Sequence, residues 1–287
     1  MMARINVLKT YKNFIGGKFP RTESGRYFQI KNGNEELLAN MCLSSRKDFR
    51  NAVVVARKVQ KSWQNATALN RGQVLYRVAE MLESRKSQFI EELMMTGLSK
   101  SHAKNEVELS IDRLIYYAGW SDKFQQVFSS VNPVASNHFN FSLLQSVGVV
   151  SVISPNDYSL LGMISVIAPI IVGGNTCVIL SSEKNPMASI SFAEVLNTSD
   201  VPSGVVNILT GKRKELLSHF ASHKDVNAII YCGDNNQEIK EIEHLSSENL
   251  KRVKIYKHKN WDHNSSQSPF FIETCQELKT IWHPNKV

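Results

Sequence analysis

The stretch from Val147 to Tyr256 constrains the fold more than any other part of the chain. It opens with the β-branched run VGVVSVIS, passes through an apolar segment of helical length to TCVILS, and repeats the alternation through VVNILT and NAIIYC. Runs that are apolar on both alternating positions suit strands buried on both faces. Strands separated by helix-length segments have to be joined by crossovers, which makes their sheet parallel. The segment therefore predicts an α/β fold built on a doubly wound, Rossmann-like parallel sheet. Gly173-Gly174-Asn175 and Pro202-Ser203-Gly204 supply helix-to-strand turns.

The residues before it read differently. Between Tyr11 and Leu43 the pairs Gly16-Gly17, Ser24-Gly25 and Asn32-Gly33 punctuate short strands. An apolar stripe at Phe49, Val53, Ala56 and Val59, with Ser44 or Ser45 as N-cap, predicts a first helix that closes near Trp63. Further helices are expected over Asn70–Ser84, over Lys86–Met95 before Gly97, and over Ala103–Phe128. The expected organisation is an N-terminal wrapping region over 1–124, a hairpin over 125–146, a Rossmann-like domain over 147–262, and terminal strands over 268–284. In that last part FFIET and ELKTIWHP are both strand-like, following the polar connection WDHNSSQSP.

Composition removes several function classes. The formal charge of +8 gathers visibly at Lys251, Arg252, Lys254, Lys257, His258 and Lys259, but these alternate with Val253 and Ile255, the pattern of a strand with one solvated face. No nucleic-acid partner is expected. No apolar run reaches the roughly 20 residues of a membrane helix, and the opening MMARINVLKTYKNF lacks an apolar signal core, so a cytoplasmic protein without a membrane partner is expected. Cys42, Cys177, Cys232 and Cys275 form no C-x-x-C pair, and His219 and His223 have no glutamate of a zinc motif between them, so no metal site is expected.

The segment from Ile115 to Lys123, IYYAGWSDK, is similar to a helix typical of the aldehyde dehydrogenase superfamily. Phe14-Ile15-Gly16-Gly17-Lys18 resembles that family's first strand. Gly173 to Thr176, Pro202 to Ile208 with Thr210-Gly211, and Ser222 to Val226 resemble its later turns and strands, in order. Within the superfamily, Ser45-Arg46-Lys47-Asp48, Arg50 to Val53, Glu106 to Ser110 and the short ending through Trp282 most resemble the C-terminal, catalytically reduced module of family 16 aldehyde dehydrogenases. That resemblance implies a cofactor-type domain and oligomerisation strands with the catalytic domain absent.

Aldehyde oxidation requires a thiolate nucleophile, an oxyanion donor, a general base and a nicotinamide beside them. By the resemblance, Asp157 stands where an amide should stabilise the oxyanion, with Asn156 one residue away. Tyr256 stands at the general-base position, and an ordinary tyrosine is a poor base at neutral pH. The nucleophile's segment belongs to a further domain that the chain is expected to lack. Cys275 has no Gly-Gln before it and is expected to be structural, with a thiol pKa raised by Glu273 and Glu277. Ser181, Glu183, Gly211, Gly233 and Asp234 mark the degenerate cofactor positions, with Asp234 expected to cap the helix that would meet the pyrophosphate.

These expectations converge on a non-catalytic oligomerisation or scaffold module. It would act as a homo-oligomer, simplest as a dimer, or with a complete aldehyde dehydrogenase subunit, through edge-strand pairing of Leu278 to Trp282. No cofactor is expected, NAD being the one candidate. The alternatives are an NAD-dependent aldehyde dehydrogenase subunit or a retained NAD-binding module.

Overall fold

The computed structural model describes residues 8–257 and 259–285, so His258 of the basic cluster lies outside the described residues. Strands β1 (Thr10–Tyr11), β2 (Tyr27–Lys31) and β3 (Leu37–Cys42) form a small sheet in the order β1-β3-β2. The expected strand at Phe14–Lys18 is instead a tight turn, because Gly16 and Gly17 take φ of 60° and 72°, where a side chain would be strained. The turn still fastens the chain to the large sheet. Phe14 N donates to Ile208 O at 2.8 Å, and Ile208 N returns a bond of 2.8 Å to Phe14 O.

Helix α1 (Arg46–Asn65) starts at a capping box. The Ser45 hydroxyl accepts from the amides of Lys47 and Asp48, while the Asp48 carboxylate accepts from Ser45 N at 2.8 Å. It runs two residues beyond Trp63, and its stripe of Phe49, Ala52, Val53 and Ala56 is fully buried. Helices α2 (Ala68–Ser84) and α3 (Lys86–Met95) follow as expected. The long fourth helix breaks, giving α4 (Lys100–Trp120) and α5 (Phe124–Phe128). Ser121, Asp122 and Lys123 form the break, where Lys123 N turns back to Trp120 O at 3.1 Å.

The small antiparallel sheet begins with β4 (Ser130–Asn132) and β5 (His138–Ser146). Residues 125–128, expected in the hairpin, are helical and dock on it through one side chain. The Gln125 amide donates to Leu144 O at 2.7 Å and accepts from Leu144 N at 3.3 Å, replacing two ladder bonds.

The Rossmann-like part alternates β6 (Val149–Ile153), α6 (Leu161–Val172), β7 (Thr176–Leu180), α7 (Met187–Asn197), β8 (Val206–Leu209), α8 (Arg213–Ser222), β9 (Ala228–Cys232), α9 (Asn236–Ser247) and β10 (Arg252–Tyr256). All pairings are parallel, in the order β10-β9-β6-β7-β8. Every residue of β6, β7, β8 and β9 is buried, as the unbroken apolar runs require. The edge strand β10 exposes Arg252 and Lys254 and half-buries Val253 and Ile255 between them. One apolar cluster joins α2, α4, α6 and α7 to one face of the sheet, and a second joins α1, α8 and α9 to the other.

Between β10 and the last strand lie only residues 257–275, with α10 (Phe270–Glu273) near their end. FFIET is thus helical rather than extended, because Pro269 supplies helical φ at the start and Thr274 N closes onto Phe270 O at 3.1 Å. Strand β11 (Gln276–Pro284) then runs antiparallel to β5, from Gln276 opposite Ser146 to Pro284 opposite His138.

Candidate functional site

The sheet order reverses between β6 and β9, since β7 and β8 extend one way and β9 and β10 the other. Ligands of open α/β sheets bind at the carboxyl ends of the strands at such a switch point. A cleft of about 480 Å³ opens there, walled by Pro155–Tyr158, Cys232–Asp234 and Lys259–Trp261, with Lys184, Arg213 and Tyr256.

The cleft's own side chains use its polar groups. The Arg213 guanidinium donates to the carbonyls of Ser154, just beyond β6, and of Cys232, the last residue of β9. It also lies 5.7 Å from the centre of the Tyr231 ring. A cation therefore bridges the two strand ends that flank the switch point. Glu183, one of the expected cofactor positions, accepts from Arg213 N and faces Lys212 at 3.9 Å, so its carboxylate serves the first turn of α8. Asn156 is occupied as well, its Oδ1 accepting from Glu183 N at 3.2 Å.

Gly233 and Asp234 line the cleft, but the helix cap differs from expectation. Because α9 begins at Asn236, the capping residue is Asn235, whose Oδ1 accepts from Gln237 N at 2.9 Å and Glu238 N at 3.4 Å. Asp234 stands one residue too early for that role. At Gly233 a Cβ would fall 2.6 Å from the Tyr231 hydroxyl, so the turn is packed as tightly as a glycine permits. Ser181 and Gly211 are buried away from the cleft. Ser181 N joins β8 through Leu209 O at 2.9 Å, and a Cβ at Gly211 would meet Leu216 at 3.1 Å.

Of the catalytic positions, Asp157 turns to solvent with 79% of its side chain exposed and pairs with Lys184 at 3.0 Å. Tyr256 is buried between Trp261, at 5.9 Å and nearly perpendicular, and Phe271, at 5.1 Å. Burial pushes its hydroxyl pKa well above the ordinary tyrosine value, away from any role as a base. Cys275 is 0% exposed, and its thiol is pushed up to about 12. Burial causes that shift, not the neighbouring glutamates, and Glu277 is held by Lys279 at 2.5 Å. The Cys275 carbonyl accepts from Val147 N at 3.3 Å and Asn175 Nδ2 at 2.9 Å, both at the amino ends of strands. The cleft lies at the carboxyl ends. The structure therefore brings Asp157, Gly233, Asp234 and Tyr256 to one cleft and places Cys275 elsewhere.

Three residues that sequence reasoning passed over organise this end of the sheet: Arg113, Arg213 and Trp261. Trp261 is buried, and a Cβ on Gly162 would meet its ring at 3.4 Å and Pro155 at 2.4 Å. It thus fills the space between the oxyanion loop and the general-base position. The buried Arg113 holds it there, donating to Trp261 O at 3.2 Å, to Ser165 Oγ at 2.7 Å and to Ser266 O. Tyr158 adds a latch, donating to Asp262 at 2.8 Å. The one available signal was Arg113, a lone cation between Ile111 and Leu114 on the buried face of α4.

Among the described residues no group of histidine, cysteine and acidic side chains could hold a metal, and no helix is long and apolar enough to cross a membrane.

An open parallel sheet with helices on both faces and a cleft at its switch point defines a nucleotide-binding type of α/β domain. The chain belongs to the aldehyde dehydrogenase family, whose profile matches residues 20–256. It is 27% identical to the cytosolic 10-formyltetrahydrofolate dehydrogenase of Mus musculus over 258 residues, which cover 88% of this chain and 29% of that protein. It is 32% identical to the 2-hydroxymuconic semialdehyde dehydrogenase of a Pseudomonas species, over 79% of this chain and 48% of that one. An NAD+ complex of an aldehyde dehydrogenase from Bacillus cereus superposes with a TM-score of 0.82 at 25% identity, over 87% of this chain and 51% of that chain. The chain spans about half the length of the last two of these proteins.

Proposed function

We propose that this chain is a non-catalytic, aldehyde dehydrogenase-like oligomerisation or scaffold module, similar to the reduced C-terminal module of family 16. The observation that carries the reading is a cleft whose polar groups are engaged within the chain: Arg213 bridges the ends of β6 and β9, and Trp261 lies against Tyr256. A dinucleotide does not fit these residues. Its ribose would meet a Glu183 already bonded to Arg213 N, and its pyrophosphate would meet the Asp234 carboxylate and amides that Asn235 has capped. With Cys275 in the core, no step of aldehyde oxidation is assigned to this chain. The buried, unpaired thiols agree with a reducing, cytoplasmic setting.

The small sheet supports the assembly role. By register, Val131, Phe139, Phe141, Leu143 and Ile281 share one face, and all but the half-buried Phe141 are exposed. An apolar face open to water marks an interaction surface. The partner is a second copy or a complete aldehyde dehydrogenase subunit. Sedimentation of the chain alone and mixed with such a subunit tests this, with a dimer or a mixed complex expected. A strictly monomeric particle in both mixtures, or aldehyde turnover with NAD that Cys275→Ala abolishes, would overturn it.

A further inference from the structure

Strand β10 is an outermost strand of the parallel sheet among the described residues, and the bonds it makes inward reveal which of its backbone groups are free. Arg252 N donates to Asn227 O at 3.1 Å, and Tyr256 O accepts from Gly233 N at 3.2 Å, both on the β9 side. Successive residues of a strand turn their amide and carbonyl to opposite sides. Arg252, Lys254 and Tyr256 therefore bond to β9, while Val253 and Ile255 present two amides and two carbonyls to the open edge. An unpaired row of this kind is a template for a further strand.

The side chains divide by face in the same rhythm. Val253 and Ile255 pack on the apolar cluster beneath α8 and α9. Arg252 and Lys254 are exposed and line, with Thr274 and Cys275, a groove of about 290 Å³ on the other face. Among the described residues neither cation meets a carboxylate at ion-pair distance. Glu277 is held low chiefly by its own bond to Lys279 at 2.5 Å, with Arg252 adding a lesser share. Lys257 lies exposed one step past the strand and adds a third positive charge. A second copy of β10 would bring the same cations against these, and like charges directly across a ladder are destabilising. Charge thus closes this edge to the chain's own copy and leaves it open to a strand of opposite sign.

We propose that β10 takes up an extended acidic peptide of another protein as a sixth strand of the parallel sheet. Its carboxylates lie at alternate positions beside Arg252 and Lys254, and apolar residues between them lie beside Val253 and Ile255. The free backbone groups supply the attraction and the two cations supply the choice of partner. This inference goes beyond the assembly reading above and uses a different sheet, so either stands if the other fails. It also gives the basic cluster a task beyond solvation.

A fluorescent ten-residue peptide alternating glutamate and valine is the probe, titrated with the full chain at low salt and followed by anisotropy. Saturable binding is expected, about tenfold weaker for Arg252→Glu or Lys254→Glu. Both positions are exposed, and circular dichroism checks that each variant is folded. The matching peptide of lysine and valine should not bind. Two further peptides, N-methylated at every valine or at every glutamate, separate strand pairing from simple charge attraction. Only one alternate set of amides can face β10, so one of these peptides should lose about tenfold in affinity and the other should keep it. Equal binding of the two methylated peptides, or equal affinity for a ten-nucleotide oligothymidylate, overturns the proposal in favour of a plain basic patch. Absence of saturable binding at millimolar peptide overturns it outright.

Discussion

The Arg113 guanidinium reaches the main-chain carbonyl of Trp261 at 3.2 Å, across 148 residues of sequence, and fixes a tryptophan over the exit ends of the strands. Three groups depend on this one cation: Trp261 O, Ser266 O and Ser165 Oγ. Burying a guanidinium is costly unless its donors are bonded, and although Arg113 Nε has no partner, the bonds to Trp261 and Ser266 tie that stretch into the fold rather than leaving it a loose connection.

Replacing Arg113 with Met should therefore cost about 3 kcal/mol of stability, because buried acceptors are left without a donor. Chemical denaturation measures the loss. The emission of Trp261, isolated by difference against Trp261→Phe, should also shift to the red as its ring becomes wetter. An unchanged midpoint and unchanged emission would mean that Arg113 does not hold the segment.

The cap of α9 separates two adjacent residues. Asn235→Ala should cost about 1 kcal/mol, since two first-turn amides lose their acceptor. Asp234→Ala leaves the Asn235 acceptor in place and should cost less than Asn235→Ala. Thermal melts of the two variants side by side give the answer, and equal effects would return the cap to Asp234.

Lys251 gives the chain a pH dependence of known sign. Its ammonium is buried at the C-terminal end of α8, donating to the carbonyls of Ala221 and His223, and burial brings its pKa down to about 8. An unfolded lysine titrates near 10.4, so between the two values the unfolded chain binds more protons than the folded one. Stability contributed by this group then rises with pH from about 8 towards 10 and is lost as pH falls through 8. Denaturation of Lys251→Met across this range should show a flatter profile than wild type. Parallel profiles would place the shift elsewhere.

Thiol chemistry reports on the core directly. Cys177, Cys232 and Cys275 are all buried with pKa values raised by burial, those of Cys232 and Cys275 to about 12. Cys42 is buried too. A chromogenic disulfide reagent at pH 8 should label none of the four rapidly in the folded protein and all four in denaturant. Fast labelling of Cys275 in the folded state would reopen the question of a nucleophile.

Much of the fold was legible because it is written in local pattern. The unbroken apolar runs placed the inner parallel strands, and Ser44 or Ser45 marked the start of α1 to within a residue, the structure choosing Ser45 through its capping box with Asp48. FFIET misled because aromatic and β-branched residues suit a strand, while Pro269 decided the backbone. The cap of α9 was misplaced by one residue because Asp234 and Asn235 are both good caps, and only the helix start distinguishes them. The expected site positions could be named from resemblance, but not the contacts their side chains make. Arg213 meets Ser154 across 59 residues and Arg113 meets Ser266 across 153, pairings that no periodicity encodes.

The cleft at the switch point is walled by Arg213 and Trp261, and its polar groups are engaged within the chain rather than free for a dinucleotide. Titration of the full chain with NADH, followed by quenching of tryptophan emission and by calorimetry, tests it most directly. The account predicts no saturable binding up to millimolar cofactor. Saturable binding that weakens when Gly233 is replaced would contradict it.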